Sequence, residues 1–365
     1  QVYPGLFDAV SRLGLTEIGS VPATLDIEEL GDENPHLVAA TAIHPASEHI
    51  PVARANGITH AVAAPGGGLW SGQATAVHLS GWTVEEMMIE PSVALVLEWP
   101  TMQTRRFDPS TFEVRERPFT EAKKEYEEKV ARLDDWIEAA RQYAHARAAA
   151  PDRVRRDLKL EAVARAVRGE RPLLVRADDE RDIRNAVEWA KKHGLRMILA
   201  GGAEAYRVKD LLRENGVPVI LGPTQRLPRD EDEPYDAPFT APGELHAAGV
   251  KIAFATFDAS DSRTLPYEAA NAVPFGLPWE EALKAITLYP AQILGLDDRL
   301  GTIEPGKIAN LIVTDGDPLA IPTQVRYLLI RGEPTSTENR HLRLYEQYRV
   351  RPPGSAARDR SSKSP

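Results

Sequence analysis

The sequence predicts an α/β fold of parallel βαβ units, numerous enough to approach a closed (β/α)8 barrel of the TIM type. Apolar runs alternate with helical patterns from end to end, as parallel strands joined by crossover helices require. Seven runs read as strands, one short of a full barrel, and the 365 residues suffice for one large barrel or two ordinary domains. Residues 299–333 then change character, with Gly-Lys and Gly-Asp-Pro turns between short β-branched runs, and read as a small antiparallel β unit.

The strand candidates are 4–9, 58–64, 92–98, 172–176, 196–200, 217–221 and 251–256. The eighth is expected between 99 and 118, where TMQTRRFDPSTFEVRER gives no clean signal. Residues 119–150 and 153–169 read as a helical pair on the outside of the barrel. Tyr126, Val130, Leu133 and Ile137 fall at four- and three-residue steps, so they share one helix face. Pro151-Asp152 separates the two helices, and Asp152 is placed to cap the second. Acids and bases alternate around the apolar stripe, which marks a solvated outer face. Further helices are expected at 180–193, 204–215 and 278–288. Residues 351–365, polar and rich in Pro, Ser and Arg, read as a disordered tail.

Composition excludes several function classes. A net charge of −10 argues against general binding to nucleic acid or anionic membranes. The chain has no cysteine, so thiolate metal sites, disulfides and cysteine nucleophiles are ruled out. No apolar stretch approaches the ~20 residues of a membrane-spanning helix. The chain starts at Gln1, almost inside its first strand. That start reads as a truncated or processed end, which leaves the compartment open.

Four segments carry a resemblance. YPGLFDAVSRLGL (residues 3–15) resembles the opening strand of the amidohydrolase superfamily, where proline, glycine, an apolar run, aspartate and alanine lead into His-x-His. LPWEEALKAITLYPAQILGLDDRLGTIEPGKIANLIVTDGDPL resembles the closing segment of that family. PGGGLWSGQATAVHLSGWTVEEM is similar to a loop-hairpin of imidazolonepropionase-like members, and RPLLVRADDERDIRNAVEWAKKHGLRMILAGGAEAYRVKDLL to their paired strands and helices. Together these cover most of residues 3–345. The resemblance implies a barrel over 3–298 with a helical excursion at 119–169. It also implies a composite β-sandwich, of which this chain supplies only the carboxyl-terminal share, residues 299–335.

The resemblance further implies zinc or another divalent metal, held by the strand-1 His-x-His, two middle-strand histidines and a last-strand aspartate. In this sequence Val10 and Arg12 stand at the His-x-His positions. Arg176 stands at the next, with Asp178 where a related subgroup has a second histidine. Gly201 follows, and Phe257 takes the aspartate position with Asp258 one residue on. Valine has no lone pair and arginine stays cationic, so neither can bind a cation. A one-residue shift turns a strand side chain to the other face, so Asp258 does not simply replace the missing aspartate. Asp178 and Asp258 alone leave a transition metal short of ligands. No metal or other cofactor is therefore expected.

The remaining histidines share no ligand spacing. His44 and His49 flank a helix start, His78 reads as an outward-facing strand residue, and His60, His193 and His246 border strands or loops. Gly66-Gly67-Gly68 lacks the ending of a P-loop and reads as a flexible loop. Arg12 and Arg176 carry a physical hypothesis. Their guanidinium groups are expected to replace the lost metal charge by pairing with Asp8, Asp178 and Asp258, or to clamp an anionic ligand. Asp178 and Asp179 also have a plain reading as caps of the next helix.

The functional expectation is a catalytically inactive member of the family, a pseudoenzyme. It would bind or stabilise a partner, either an active subunit of the same fold or a second copy of itself. The alternative is an active hydrolase of carbon–nitrogen bonds, of the cyclic amide type, with a rearranged site. A third reading is a module that binds small carboxylates at the arginine-lined mouth.

Overall fold

The computed structural model describes residues 1–108, 113–229 and 231–350. Val2–Pro4 forms strand β1 and Leu6–Ser11 forms β2, with Gly5 between them. Ile58–Ala63 (β3), Trp70–His78 (β4) and Met88–Glu98 (β5) follow. Arg105–Asp108 (β6) and Glu113–Glu116 (β7) make a separate two-stranded antiparallel sheet. Then come Leu173–Ala177 (β8), Met197–Gly201 (β9), Val219–Leu221 (β10) and Ile252–Phe254 (β11).

Eight of these strands form one sheet in the order β11-β10-β9-β8-β5-β4-β3-β2. It nearly closes on itself, because the Phe257 N–H donates to the Val10 carbonyl at 2.9 Å and the Arg12 N–H to the Asp258 carbonyl at 3.2 Å. Side chains two apart share a face. Thus Phe7, Val62, Val96, Leu174, Ile198, Ile220 and Ala253 pack together inside the barrel. Leu6, Ile58, Leu97, Val175, Leu199, Val219 and Phe254 pack outward, in the cluster that includes the surrounding helices.

The eighth barrel strand is β4, not a segment within 99–118. It also runs antiparallel to both neighbours. All nine of its residues are buried, yet Ser71, Gly72, Gln73, Thr75 and His78 interrupt the apolar run expected of a strand covered on both faces. Tertiary partners satisfy the polar groups. Thr75 Oγ1 donates to the Pro91 carbonyl and accepts from the Ala40 N–H, while Gln73 Nε2 donates to the Pro35 carbonyl. His78 lies on a strand as expected, but it is buried, with Asn310 Nδ2 3.1 Å from its Nδ1.

The long helix Phe119–Ala149 buries Leu133 and Ile137 fully, with Tyr126 and Val130 packed on the same core. Its partner runs from Leu158 to Val167. Asp157, not Asp152, caps it, accepting from the N–H groups of Lys159 (2.9 Å) and Leu160 (3.0 Å). The turn after Pro151 is longer than the proline break suggested. Asp157→Ala is expected to cost about 1 kcal/mol, read as a lower urea midpoint, whereas Asp152→Ala should leave the midpoint unchanged.

The second sheet has the order β1-β12-β13-β14, where β12 is Leu311–Thr314, β13 is Val325–Ile330 and β14 is Glu333–Pro334. The antiparallel unit expected near 299–333 is present. It is not built from the carboxyl-terminal share alone, because Val2 pairs with Val313 and Tyr3 with Ile312. The tail expected at 351–365 lies outside the described residues.

Candidate functional site at the barrel mouth

Interior-facing positions at the carboxyl ends of the barrel strands form the rim where barrels of this kind place their chemistry. Arg176 lies two residues beyond the interior Leu174, Glu98 two beyond Val96, and Phe257 two beyond Ala255. These three side chains meet. Arg176 Nη1 donates to Glu98 Oε1 at 3.1 Å, and its guanidinium lies 5.7 Å from the centroid of the Phe257 ring. Phe257 has φ +56°, a left-handed conformation that is unusual for a bulky side chain and costs on the order of 1–3 kcal/mol.

Arg12 comes to the same place. A Cβ built on Gly66 would lie 3.4 Å from Arg176 Nη1, 3.9 Å from Arg12 Nη2 and 3.9 Å from Glu98 Oε1. The glycine run expected to be a flexible loop thus begins where the two guanidinium groups adjoin. Burial and the neighbouring Arg176 charge both pull Arg12 below its ordinary value, against the attraction of Asp258, Glu98 and Glu28. Burial pushes Glu98 up, although Arg176 and Arg12 oppose the shift.

The expected ion pairs of Arg12 and Arg176 with Asp8, Asp178 and Asp258 do not form as hydrogen-bonded contacts. Asp8 is completely buried, and both its oxygens accept from Thr256, one from the N–H at 3.1 Å and one from the hydroxyl. Burial raises it to about 7 despite those bonds. Asp178 Oδ1 accepts from the Ala203 N–H. Asp258 Oδ1 accepts from the Ser260 hydroxyl and the Asp261 N–H. Burial alone would raise Asp258, but those bonds, with Arg12 nearby, hold it below the ordinary carboxylate value. Asp8 has found a closer partner across the barrel seam, Asp258 within its own turn, and Asp178 in the loop after the adjacent strand β9. Glu98, which the sequence reading missed, is the acid that bonds Arg176. Its signal was legible, since residues 92–98 were read as a strand and period two puts Glu98 on the face of Val96.

Neither Asp178 nor Asp179 caps the helix Glu180–His193 through its side chain. Asp179 Oδ1 accepts from Arg229 Nη2 at 2.8 Å instead. Asp182, in the first turn of that helix, is buried, and burial raises it to about 6. Of the histidines, His60 and His78 lie opposite each other on β3 and β4, and Asn310 bridges their Nδ1 atoms. His193 Nε2 lies 2.7 Å from Asp134, while His49 meets the Glu17 carbonyl at the start of its helix.

The residues at the positions that the resemblance assigns to metal ligands do not fit a divalent cation. Val10, Gly201 and Phe257 offer no side-chain lone pair, and Arg12 and Arg176 are cations. Gly201 has φ +94°, which side-chain-bearing residues rarely adopt, and a Cβ there would lie 2.6 Å from Asp178 Oδ1, so a larger residue would strain the backbone and displace the Asp178 carboxyl. Among the described residues, no three His, Asp or Glu side chains gather in a way that could hold a metal ion. The mouth opens into a cavity of about 440 Å³ lined by Glu98, Trp99, Arg176, Asp178, Gly201, Leu221, Pro242 and Phe257, among others. That volume suits a small organic molecule.

A family model described as the amidohydrolase family matches residues 140–337, more than half of the chain. Curated relatives match shorter stretches. N-acetylglucosamine-6-phosphate deacetylase of Haemophilus influenzae is 46% identical over 63 residues, 16% of this chain and 16% of the relative. Imidazolonepropionase of Erwinia tasmaniensis is 44% identical over 55 residues, 15% of this chain and 13% of the relative. The chain thus spans less than a fifth of the length of the curated relatives it matches. The crystal structure of an amidohydrolase from Thermotoga maritima is similar throughout, with a TM-score of 0.79 and 27% identity. That match covers 92% of this chain and 87% of the other.

Proposed function

This chain belongs to the amidohydrolase family, and on that premise we propose that it keeps the family's barrel but has lost the metal site. It then acts as a catalytically inactive member that binds rather than hydrolyses. The names of its relatives, a deacetylase, a deaminase and an imidazolonepropionase, set the inherited class as chemistry at carbon–nitrogen bonds outside peptides. In the family that the sequence resembles, a bound metal would supply a water of lowered pKa as the nucleophile. A catalytic metal needs about three protein donors and one open position. One observation carries the proposal: Val10, Arg12, Arg176, Gly201 and Phe257 occupy the positions where, by the resemblance, those donors would stand. The role that remains is association, either with an active subunit of the same fold or with a second copy of this chain.

Metal analysis tests this directly. Purified protein is expected to hold far less than one equivalent of zinc, manganese or iron, and EDTA should leave its melting temperature unchanged. N-acetylated amino sugars and cyclic amides should not be hydrolysed. One equivalent of metal, lost together with hydrolysis on chelation, would instead establish the second reading, an active hydrolase with a rearranged site.

A further inference from the structure

Arg12 Nε and both Nε and Nη2 of Arg176 are buried N–H donors that have no hydrogen-bond partner among the described residues. Two guanidinium groups side by side repel each other, and one carboxylate, Glu98, bonds to one of them. Natural interiors rarely leave charged donors in that state unless something else accepts from them. The strained Phe257 places its ring under Arg176, 5.7 Å from the guanidinium carbon. The cavity beside Arg176 has apolar walls at Trp99, Leu221 and Pro242, and its polar lining sets the acids Glu98, Asp178, Asp179 and Asp182 against Arg226 and Arg229.

We propose that this mouth binds a small organic carboxylate, its two oxygens accepting from the Arg12 and Arg176 guanidinium groups and its apolar part filling the cavity. A planar carboxylate matches the fork of a guanidinium, and charge-assisted bonds of this kind are the strong ones. The surroundings favour one negative charge over two. Glu28, Glu98 and Asp258 lie close enough to act on Arg12, and Asp178 acts on Glu98, so a dianion such as phosphate meets more repulsion. The inference deepens the non-catalytic reading and rests on it in one respect, that no cation sits at the mouth to compete for the ligand.

Calorimetry and thermal shift at fixed ionic strength, with hexanoate, acetate, inorganic phosphate and hexylamine as probes, test the clamp. Hexanoate is expected to bind one to one and raise the melting temperature, acetate more weakly, and hexylamine not at all. Arg12→Ala and Arg176→Ala should each weaken hexanoate at least tenfold. Arg12→Lys and Arg176→Lys, which keep a charge but lose the fork, should fold normally and still weaken it. Failure of hexanoate to bind, unchanged binding in the lysine variants, or phosphate binding tighter than hexanoate would each overturn the proposal. Metal content measured on the same sample separates the two claims. Bound metal with hexanoate binding intact would refute the non-catalytic reading alone, whereas metal-free protein that ignores hexanoate would refute the clamp alone.

Discussion

Phe7→Ala is expected to destabilise the protein by about 3–5 kcal/mol, the range for removing a large ring from a closed core. Phe7 is completely buried inside the barrel, and its ring lies 4.3 Å from that of His60 on the adjacent strand. Its backbone N–H is committed to the Ile286 carbonyl at 2.8 Å, so the strand cannot slide inward to fill the gap. The neighbours inside the barrel are small or branched residues held by strand pairing, which limits collapse. Burial, with His78 second, holds His60 well below the ordinary histidine value. Opening space beside it should let that value rise. Urea denaturation reads the first effect and histidine NMR titration the second. A loss under about 1 kcal/mol would mean that the barrel repacks around the missing ring.

Asp8→Asn is the second large effect, and its sign depends on pH. The Asp8 carboxyl titrates near 7 in the folded protein against 3.8 when exposed. Below about pH 4 both states are protonated and the residue costs nothing. As pH rises from about 4 to 7, the unfolded chain ionises first, so a penalty builds up and is complete above 7. At roughly 1.4 kcal/mol per unit, that penalty is on the order of 4 kcal/mol. Asparagine keeps an oxygen for the Thr256 N–H and carries no charge, so the variant should be the more stable protein at pH 8 and equal to wild type near pH 3.5. His78, drawn down to about 4 by burial and by the Arg331 and Arg299 charges, acts in the opposite sense. Its contribution is lost as pH falls from 6.5 toward 4, in wild type and variant alike. Subtracting the two melting curves across pH therefore isolates Asp8. A difference that stays flat from pH 4 to 8 would show that the carboxylate ionises normally in the fold.

Parts of this architecture could be read locally. The runs at 58–64, 92–98, 172–176, 196–200, 217–221 and 251–256 became strands because both faces are covered, a demand that leaves a mainly apolar signature, broken at 58–64 by Thr59 and His60. Trp70–His78 escaped because its polar side chains are satisfied by Pro35, Ala40, Pro91 and Asn310, partners distant in sequence. The capping aspartate was misplaced for a related reason. Proline marks where a helix cannot continue, but not how many residues pass before the next one begins.

The site divides along the same line. Whether a side chain can donate a lone pair is a property of its own atoms, so Val10, Arg12, Arg176, Gly201 and Phe257 offer a metal no donor in any fold. Who neutralises the arginines is settled by geometry across the barrel. Glu98 reaches Arg176 through the pairing of adjacent strands, while Asp8 is taken by Thr256 on the far side of the chain, 248 residues away. The sequence alone thus determined the family's scaffold and the chemistry each side chain can offer, because strand periodicity and side-chain chemistry are local. Only the tertiary structure decided that two guanidinium groups sit together with donors to spare, because that depends on which ends of distant strands are brought to one rim.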